Sequence, residues 1–306
     1  MIVHHWDTDG ITSAAIYIKI QGEDENFTPK IGNFYLDDED FEYVKNSEKV
    51  VILDMNLPEA AKLCKYADVY IYDHHRATKV KCAKEHYNPY LKGINYPSCT
   101  TVLMERFSYP PDYLVALGIV GDRGPDVKNI EEWKIIEKVL QSERLSLNDL
   151  MLAVELLDSS FRMNKREEVI ENVHLVLQGI KDVLESEKHH KNLEFISREV
   201  ESWSMRAKDF GRYMYLEMES PYMITSAVTR RVSWRTKKPT IVVNHKADRD
   251  EFYIRFPNHK HSAIPLIEFA RNMGYNAGGK KEVMGAILPK GEGEKFFARI
   301  LEVLKW

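Results

Sequence analysis

The sequence predicts an α/β protein with an N-terminal parallel-sheet domain, a helical connector and a smaller C-terminal α/β domain. Two apolar runs, 49–54 and 68–75, each end in acidic or imidazole side chains, and 57–66 between them has helical composition with Pro58 suited to a first turn. Continuous apolar strands separated by helices are typical of a parallel sheet covered on both faces. In a chain of 306 residues we expect domain boundaries at 1–160, 161–209 and 210–306.

Residues 4–10 bring several ligand-type side chains together directly after a short apolar run. In an extended segment alternate side chains share a face, so one face would carry Val3, His5, Asp7 and Asp9. Gly10 is then expected to let the backbone turn into a helix. Carboxylates at that distance repel, so either a cation lies between them or one is protonated. A polar strand end in which Thr8 or Asp9 caps the helix explains only one acid, and we favour a metal site.

Further segments end in the same kinds of side chain. The runs 49–54 and 68–75 end in Asp54 and in Asp73-His74-His75, the apolar stretch 113–122 ends in Gly121-Asp122, and Ser98 is placed to cap a helix. In parallel sheets ligands bind beyond the carboxyl ends of the strands. Singly, each acid is better explained as a helix cap or a solvated loop residue. Together they predict a site at one edge of the sheet.

Composition describes a globular protein, with 44% hydrophobic and 29% charged residues. No apolar stretch approaches the ~20 residues that span a bilayer, and the N-terminus lacks the pattern of a signal peptide, so we expect a cytoplasmic protein without membrane association. Cys64, Cys82 and Cys99 are odd in number and lack CxxC spacing. They therefore predict neither a disulfide framework nor a thiolate zinc site.

The rest of the chain predicts helices and then a second α/β domain. Helical spacing covers 131–141, 147–157 and 165–185, and the last segment is expected to run on towards residue 208 as the connector. His189 and His190 lie there in a charged run and are expected to be solvated. The second domain is predicted to contain strands at 212–218, 240–244 and 251–256 and helices at 262–273 and 295–305.

Residues 230–261 carry a local excess of basic side chains, whereas the whole chain has a net charge of −4. The basic residues are Arg230, Arg231, Arg235, Lys237, Lys238, Lys246, Arg249, Arg255 and Lys260. A polyanion would be attracted to this segment. A solvated basic face explains the same composition.

The motifs and their order resemble those of the DHH phosphoesterases, and within them the RecJ-like exonucleases. Asp73-His74-His75 is the signature of that family, residues 5–10 are similar to its first motif, Asp54 to its second, and Gly121-Asp122 to its fourth. The resemblance covers about 1–125 through specific motifs and the last hundred residues more loosely. Four motifs in order form a strong pattern, whereas the tripeptide alone would be weak.

This resemblance implies a site with two divalent metal ions, usually manganese. An imidazole with several carboxylates independently suits Mn²⁺ or Mg²⁺ better than a thiophilic ion. By resemblance, the first ion would be held by His5 and Asp7, the second by Asp9, His74 and Asp122, and Asp54 would bridge them. His75 is the expected donor to the scissile phosphate. Asp73 is either a further ligand or a group that orients an imidazole.

A glycine pair near the C-terminus is the predicted substrate-binding motif. Gly278 and Gly279 would let backbone amides converge on an anion, although a turn before a strand also uses glycine. The stretch resembles the glycine-rich motif of the DHH-associated C-terminal domain, which grips the substrate's phosphate or terminus. That family usually has histidine next, where this chain has Lys280. Arg255 is the predicted second phosphate contact, with Phe256 or Tyr253 available for base stacking.

The resemblance implies a metal-dependent phosphodiesterase, most directly an exonuclease of single-stranded DNA or RNA. The expected kind of protein partner is a DNA repair or replication protein such as a helicase. One alternative is an enzyme for short oligonucleotides (a nano-RNase), cyclic dinucleotides or 3′-phosphoadenosine phosphate. A second, of another class, is a non-catalytic nucleic-acid-binding or replication scaffold. The intact set of acidic and imidazole residues speaks against the scaffold.

Overall fold

The computed structural model describes residues 1–257 and 261–306 and confirms the mixed α/β class. The chain forms two compact units, one of residues 1–161 and 165–193 and the other of 162–164 and 194–306. The first unit therefore includes the helices of 165–193. The division at 160 and 209 stays a prediction about independently folding parts.

The first unit contains a five-stranded sheet in which all neighbouring strands are parallel, in the order β2-β1-β3-β4-β5. Its strands are β1 (Ile2–His4), β2 (Asn26–Phe27), β3 (Lys49–Leu53), β4 (Asp68–Tyr72) and β5 (Glu85–Tyr87). Its helices are α1 (Thr8–Gln21), α2 (Asp38–Val44), α3 (Ala60–Leu63), α4 (Cys99–Phe107), α5 (Tyr113–Arg123), α6 (Trp133–Glu143), α7 (Leu147–Arg162), α8 (Arg166–Gln178), α9 (Ile180–Leu184) and α10 (Glu187–Ser204), the last of which continues into the second unit.

Helix α1 is the centre of this unit and packs against α4, α5 and α8. Its residues from Thr8 to Tyr17 are all buried, and the small side chains Ser13, Ala14 and Ala15 let the neighbouring helices approach closely. The apolar stretch 113–122 is therefore part of a buried helix. It forms most of α5, which delivers Asp122 to the site from its last turn.

The predicted helix over 165–185 is interrupted at Gly179, whose φ is 153°, and the chain continues as α9 and α10. The prediction that His189 is solvated is wrong, because its side chain is 3% exposed. Its Nε2 lies 2.8 Å from Asn172 Oδ1 and its Nδ1 lies 2.6 Å from Ser186 Oγ. Its place in a charged run does not reveal these partners.

The second unit contains a six-stranded mixed sheet in the order β10-β11-β9-β8-β7-β6, in which only β7 and β8 are parallel among the paired strands that the structure describes. Its strands are β6 (Lys208–Asp209), β7 (Met214–Met218), β8 (Thr240–His245), β9 (Arg249–Arg255), β10 (Asn276–Lys280) and β11 (Val283–Pro289), and its helices are α11 (Thr225–Thr236), α12 (Ile264–Asn272) and α13 (Gly293–Leu304). One face of the sheet packs on α12 and α13 around Phe252 and Phe296, and the other packs on α11 around Val228 and Val242.

Cys64 and Cys82 form a disulfide, which the number and spacing of the cysteines do not predict. An odd number of cysteines excludes complete pairing but not one pair. The bridge joins the residue after α3 to the segment before β5, whereas Cys99 is buried and free. No helix among the described residues is long and apolar enough to cross a membrane.

The disulfide predicts a specific pattern of thiol labelling. When the protein is denatured without reductant and treated with an alkylating reagent, only Cys99 should be modified, because Cys64 and Cys82 are joined. After reduction all three cysteines should react. Peptide mass spectrometry measures this directly, and modification of Cys64 without prior reduction would contradict the bridge.

Candidate metal centre

The segment after β1 forms the first corner of the site, with a geometry that differs from the predicted extended strand. The strand ends at His4 and the helix begins at Thr8, so Asp9 lies in the first turn of α1. Asp7 is the N-cap, and its Oδ1 accepts a hydrogen bond from Gly10 N at 3.1 Å. The alternative of a polar strand end therefore names the wrong cap, since it placed Thr8 or Asp9 there. The shared direction of these side chains comes from the strand-to-helix junction.

Gly10 is required for close packing, and the predicted turn at this residue is not found. It lies inside α1, and a Cβ atom there would come 2.2 Å from the carbonyl oxygen of His5. Any larger residue would push the helix away from the strand end. Gly10 therefore fixes the distance between His5 and the helix that carries Asp9.

Asp9 is held by the N-terminus of a second helix. Its carboxylate is 1% exposed and accepts hydrogen bonds from Cys99 N at 2.6 Å and Thr100 N at 3.1 Å. These amides belong to the first turn of α4, whose N-cap is Ser98 as the sequence predicts. Unpaired amides at a helix N-terminus favour an anion. The helix thus orients Asp9 while leaving it close to the other acidic residues.

Asp54 follows β3 and adopts a positive φ of 59°. Among residues with a side chain, aspartate and asparagine tolerate this left-handed region best. The side chain is 2% exposed, and its Oδ1 lies 3.3 Å from His74 Nε2 while its Oδ2 lies 3.7 Å from His5 Nδ1. Asp54 therefore lies between the two imidazoles, as the predicted bridging position requires.

His74 is oriented by the backbone and faces three carboxylates. Its Nδ1 lies 3.1 Å from the carbonyl oxygen of Tyr96, so Nδ1 carries the hydrogen and Nε2 presents its lone pair. That Nε2 lies 3.3 Å from Asp122 Oδ2 and 3.7 Å from Asp9 Oδ2. Burial and the neighbouring His75 lower the pKa of His74 to about 4, so the ring is neutral, as a metal ligand must be.

His75 has a different environment from its neighbour. Asp73 is fully buried, and its Oδ1 lies 2.8 Å from His75 Nδ1. Burial would lower the pKa of His75, but the contact with Asp73 outweighs it and raises the pKa to about 9. With a side chain that is 51% exposed, His75 is a protonated donor facing outward, and Asp73 orients it. Asn88, which bonds both Asp73 and the carbonyl of His75, was not predicted.

The donor set fits divalent cations. Three groups have ligand atoms within 4.8 Å of one another, namely His5-Asp7-Asp54, Asp9-His74-Asp122 and Asp54-His74-His75. Several of these buried atoms lack a hydrogen-bond partner: both ring nitrogens of His5, Asp54 Oδ1 and His74 Nε2. His5 Nδ1 is 2.8 Å from Asp7 Oδ1 but without hydrogen-bond geometry. Buried polar atoms without partners are costly, and a cation would satisfy them.

Electrostatics lead to the same assignment. Burial and the neighbouring carboxylates raise the pKa values of Asp9 and Asp54 well above the ordinary range. In Asp7, burial acts in the same direction, but the adjacent His5 outweighs it and lowers the pKa to about 2. Asp9 and Asp54 thus repel each other unless a proton or a metal ion lies nearby. All eight residues predicted for metal binding and catalysis lie together in this unit.

Two supporting residues could not be recognised in the sequence. The carboxylate of Asp158, in α7, accepts hydrogen bonds from Thr8 N at 3.1 Å and Thr8 Oγ1 at 2.7 Å, and so fixes the start of α1. Phe34, 48% exposed, stacks on His5 with ring centroids 5.7 Å apart. Both contacts join distant parts of the chain, and neither residue belongs to a local motif.

The second unit carries the residues predicted to bind substrate. Arg255 in β9 pairs with Val283 in β11, and Val283 pairs with Lys280 in β10. Directly paired residues point to the same face of a sheet, so Arg255 and Lys280 lie on one face about 10 Å apart. Two positions further along the strands, the same face carries a second set of directly paired residues, Gly278, Gly285 and Tyr253.

Two glycines of these strands, Gly279 and Gly285, have structural reasons for being glycine. Gly279 has a φ of 146°, and a Cβ atom there would come 2.1 Å from the carbonyl oxygen of Val283. At Gly285 a Cβ atom would meet the Tyr253 ring at 2.7 Å. At Gly278 a Cβ atom would meet nothing within 4 Å, so the space above this residue is open. Gly278 and Gly279 therefore belong to a strand pair, and an anion-binding role for them stays a prediction.

The ring beside Arg255 belongs to Trp234, which was not among the residues predicted for base stacking. Phe256 is 2% exposed and lies in the core, so it cannot stack on a base. Trp234 of α11 is 52% exposed, and the guanidinium groups of Arg255 and Arg230 lie 5.8 Å and 5.5 Å from its ring. Trp234 was missed because its position beside Arg255 depends on the packing of α11 on the sheet.

Most of the predicted basic segment is already neutralised by acidic residues. Arg231 and Arg235 contact Glu201 at 3.0 Å and 3.3 Å, Lys238 contacts Asp209 at 2.7 Å, and Lys246, 8% exposed, contacts Glu251 at 3.2 Å. Arg249 also lies beside Glu251. Lys260 lies outside the described residues. The nine basic residues therefore do not act as one free positive surface.

Comparison with known proteins identifies the family of the N-terminal region. Residues 1–127 match the DHH family, N-terminal domain. This region is therefore a DHH-family domain, and the fold of the chain is RecJ-like. No curated protein matches the sequence.

Three solved structures illustrate the range of similar folds. RecJ from Thermus thermophilus in complex with Mn²⁺ has 16% identity and a TM-score of 0.67, with 98% of this chain and 51% of that chain covered. The pGpG-specific phosphodiesterase PggH from Vibrio cholerae has 14% identity and a TM-score of 0.53, with coverage of 99% and 98%. CDC45 from Entamoeba histolytica has 11% identity and a TM-score of 0.50, with coverage of 100% and 95%. This chain thus spans about half the length of the Thermus RecJ.

Replacing Asp54 by asparagine tests the electrostatic design of the centre. Asparagine keeps the positive φ and the size of the side chain, whereas alanine would be strained there. In chelator the variant should unfold at the same or a higher temperature than the wild type, by about 2–4 °C per kcal/mol of repulsion removed. Because the folded-state pKa of Asp54 is raised, stability is lost as pH rises above the ordinary carboxyl value, so the difference should grow from pH 5 to 8.

With Mn²⁺ the order should reverse, because the ion stabilises only a complete centre. Thermal unfolding with and without the ion measures both effects, and Asp126→Asn at an exposed position serves as a control. A variant stabilised by Mn²⁺ as much as the wild type would contradict the predicted position of Asp54 between two ions.

Proposed function

We propose that this protein is a metal-dependent phosphodiesterase that acts as an exonuclease on single-stranded nucleic acid. The observation that carries the proposal is the pair of adjoining ligand groups around Asp54 and His74, next to an outward-facing His75. When bound, two divalent ions, Mn²⁺ by preference, would activate a water and neutralise phosphoryl oxygens. DHH-family membership supports a phosphoesterase, and the nucleic-acid specificity is our inference.

The protein's own residues would act around a phosphodiester in distinct ways. Holding a metal would fall to His5, Asp7, Asp9, Asp54, His74 and Asp122. His75 would donate a hydrogen bond to a non-bridging phosphate oxygen, since its raised pKa keeps it protonated at neutral pH. Asp73 would keep that imidazole aimed outward through the 2.8 Å contact with Nδ1.

The exposed face of the second unit supports an extended substrate. Arg255 and Lys280 would contact phosphates, and the open space at Gly278 would let the backbone of the nucleic acid approach the sheet. The exposed ring of Trp234 would stack on a base. Stacking on an aromatic ring is tolerant of sequence, as an exonuclease requires.

A shorter substrate is the second candidate, and the pairing of the basic residues favours it. Fewer basic side chains remain for phosphates than the composition suggests, because Arg231, Arg235, Lys238 and Lys246 are already paired with acidic residues.

A non-catalytic scaffold is not favoured. It would gain nothing from a buried cluster of carboxylates and imidazoles in which several polar atoms have no hydrogen-bond partner.

Digestion of end-labelled strands of increasing length distinguishes the two catalytic candidates. With Mn²⁺, single strands of about 10 nucleotides should be cut with a higher kcat/KM than dinucleotides, because a longer strand offers more bases and phosphates for binding. The rate should vanish in excess chelator. Fastest cleavage of dinucleotides or of 3′-phosphoadenosine phosphate would favour the second candidate.

Trp234→Ala tests the stacking contact. Loss of one base stack costs about 1–3 kcal/mol, so KM for a strand of about 10 nucleotides should rise ~5-fold or more while a dinucleotide is unaffected. Phe210→Ala removes a ring of similar exposure, 54% against 52%, and should leave both values unchanged. Equal KM values for the three proteins would exclude Trp234 from substrate binding.

Lys280→Ala tests the phosphate contact beside the glycines. Lys281 is the matched control, since both lysines are exposed and adjacent in sequence. Loss of one phosphate contact should lower the slope of log affinity against log salt by about 0.7 for a single strand. Only Lys280→Ala should show this change. Identical slopes for the two variants would show that Lys280 does not touch the substrate.

A further inference from the structure

A second group of metal-ligating side chains lies in the C-terminal unit, remote in sequence from the DHH motifs. Its members are Glu217 of β7, His245 at the end of β8 and Glu294 in the first turn of α13, and one ligand atom of each lies within 4.8 Å of the others. Glu217 pairs with Val243, so Glu217 and His245 lie on the same face of the sheet. Helix α13 packs on β8 and brings Glu294 close to His245.

The imidazole of this group is fixed by a buried carboxylate. His245 Nδ1 lies 3.0 Å from Asp250 Oδ1, and Asp250 Oδ2 accepts hydrogen bonds at 2.9 Å from Gly291 N and at 2.9 Å from Gly293 N. A carboxylate held by two backbone amides in this way is placed to accept the Nδ1 hydrogen, which leaves Nε2 as the ring nitrogen that could bind a metal.

Glu217 is oriented in a comparable way. The hydroxyl of Tyr215 donates a hydrogen bond to Glu217 Oε1 at 2.5 Å, which leaves Oε2 available. The Tyr215 ring stacks on Phe297 of α13, with centroids 4.2 Å apart. Two of the three ligand side chains thus have an orienting partner of their own, as protein metal ligands commonly do.

The two glutamates have no basic counterion. Within residues 1–257 and 261–306, neither Glu217 nor Glu294 forms an ion pair with a lysine or an arginine. The close basic side chains serve other acids, since Lys290 lies 3.9 Å from Asp250 and Lys295 lies 2.7 Å from Glu292. Exposed acids alone would not indicate a metal. Here they converge on an imidazole whose Nδ1 already has a carboxylate partner.

We propose that Glu217, His245 and Glu294 form a site for a single divalent transition-metal ion, distinct from the DHH centre. One imidazole with two carboxylates suits Zn²⁺ or Mn²⁺. A tetrahedral Zn²⁺ with bonds of about 2.0–2.1 Å needs ligand atoms about 3.3 Å apart. Exposed glutamate side chains make that adjustment by rotation, and a water molecule takes the fourth position.

Bound there, the ion would join β7, β8 and the start of α13. The helix approaches the sheet closely at this point, because a Cβ atom at Gly293 would come 2.6 Å from Val243 Cγ1. The site would therefore fasten the C-terminal helix to the sheet. It has no part in hydrolysis, and its loss should leave the activity of the DHH centre unchanged.

Metal analysis of the full-length protein tests the proposal with Zn²⁺ as the probe. After equilibrium dialysis, the wild type should retain one more ion per chain than Glu294→Gln, which alters an exposed side chain and keeps its size. Glu302→Gln on the same helix is the matched control and should retain the wild-type content. His245→Ala should lose the same ion, with its fold checked by circular dichroism in chelator.

Affinity and spectroscopy separate this site from the DHH centre. Tyr215→Phe removes only the orienting hydroxyl, and Zn²⁺ affinity at the site should fall 10- to 100-fold. In an Asp54→Asn background, Co²⁺ should still give a visible absorption spectrum that Glu294→Gln abolishes. Unchanged metal content and an unchanged Co²⁺ spectrum in Glu294→Gln would overturn the proposal, whatever the activity of the DHH centre.

Discussion

The repulsion between buried carboxylates is the constraint on which the N-terminal unit depends. Asp9 and Asp54 are 1% and 2% exposed, and burial together with neighbouring carboxylates raises the pKa of both. A fold that was selected only for stability would separate them or pair them with arginine. This one holds them in place with helix amides, a left-handed backbone at Asp54 and the absence of a side chain at Gly10. The unit therefore keeps together acidic residues that could hold cations, at a cost in stability when no positive charge lies between them.

The parts of this arrangement that follow from local pattern were predictable. The apolar runs that end in Asp54 and in Asp73-His74-His75 identify two strands. Because the strands are parallel, they also identify the edge of the sheet where these residues meet. Both features can be recognised from a few consecutive residues. The Ser98 cap is equally local. By contrast, the extended segment predicted through Asp9 was wrong, since alternation over a few residues does not distinguish a strand from a strand-to-helix junction.

The parts that depend on distant contacts were not predictable from one sequence. Asp158 reaches Thr8 across 150 positions, and Asn88 contacts Asp73 from a different loop. The number of basic residues in 230–261 did not predict a free positive surface, for the same reason. Arg231 and Arg235 look like part of a basic surface until the packing of α11 on α10 brings both to Glu201. A local excess of charge measures composition, whereas the free charge depends on which acids the fold places beside it.

The contrast between the two imidazoles of the DHH signature shows how adjacent residues of the same type acquire different chemistry. A carbonyl oxygen accepts the Nδ1 hydrogen of His74, and a buried carboxylate lies beside Nδ1 of His75. The uncharged carbonyl beside His74 does not offset the effect of burial, so the pKa of His74 is lowered and Nε2 keeps an available lone pair. The charged carboxylate of Asp73 raises the pKa of His75 and makes this residue a hydrogen-bond donor. In the C-terminal unit, Asp250 also lies beside Nδ1 of an imidazole, but there two glutamates have ligand atoms within 4.8 Å of a ligand atom of His245. An orienting carboxylate alone therefore does not decide whether a histidine acts as a donor or as a ligand, because the other groups around the ring also contribute.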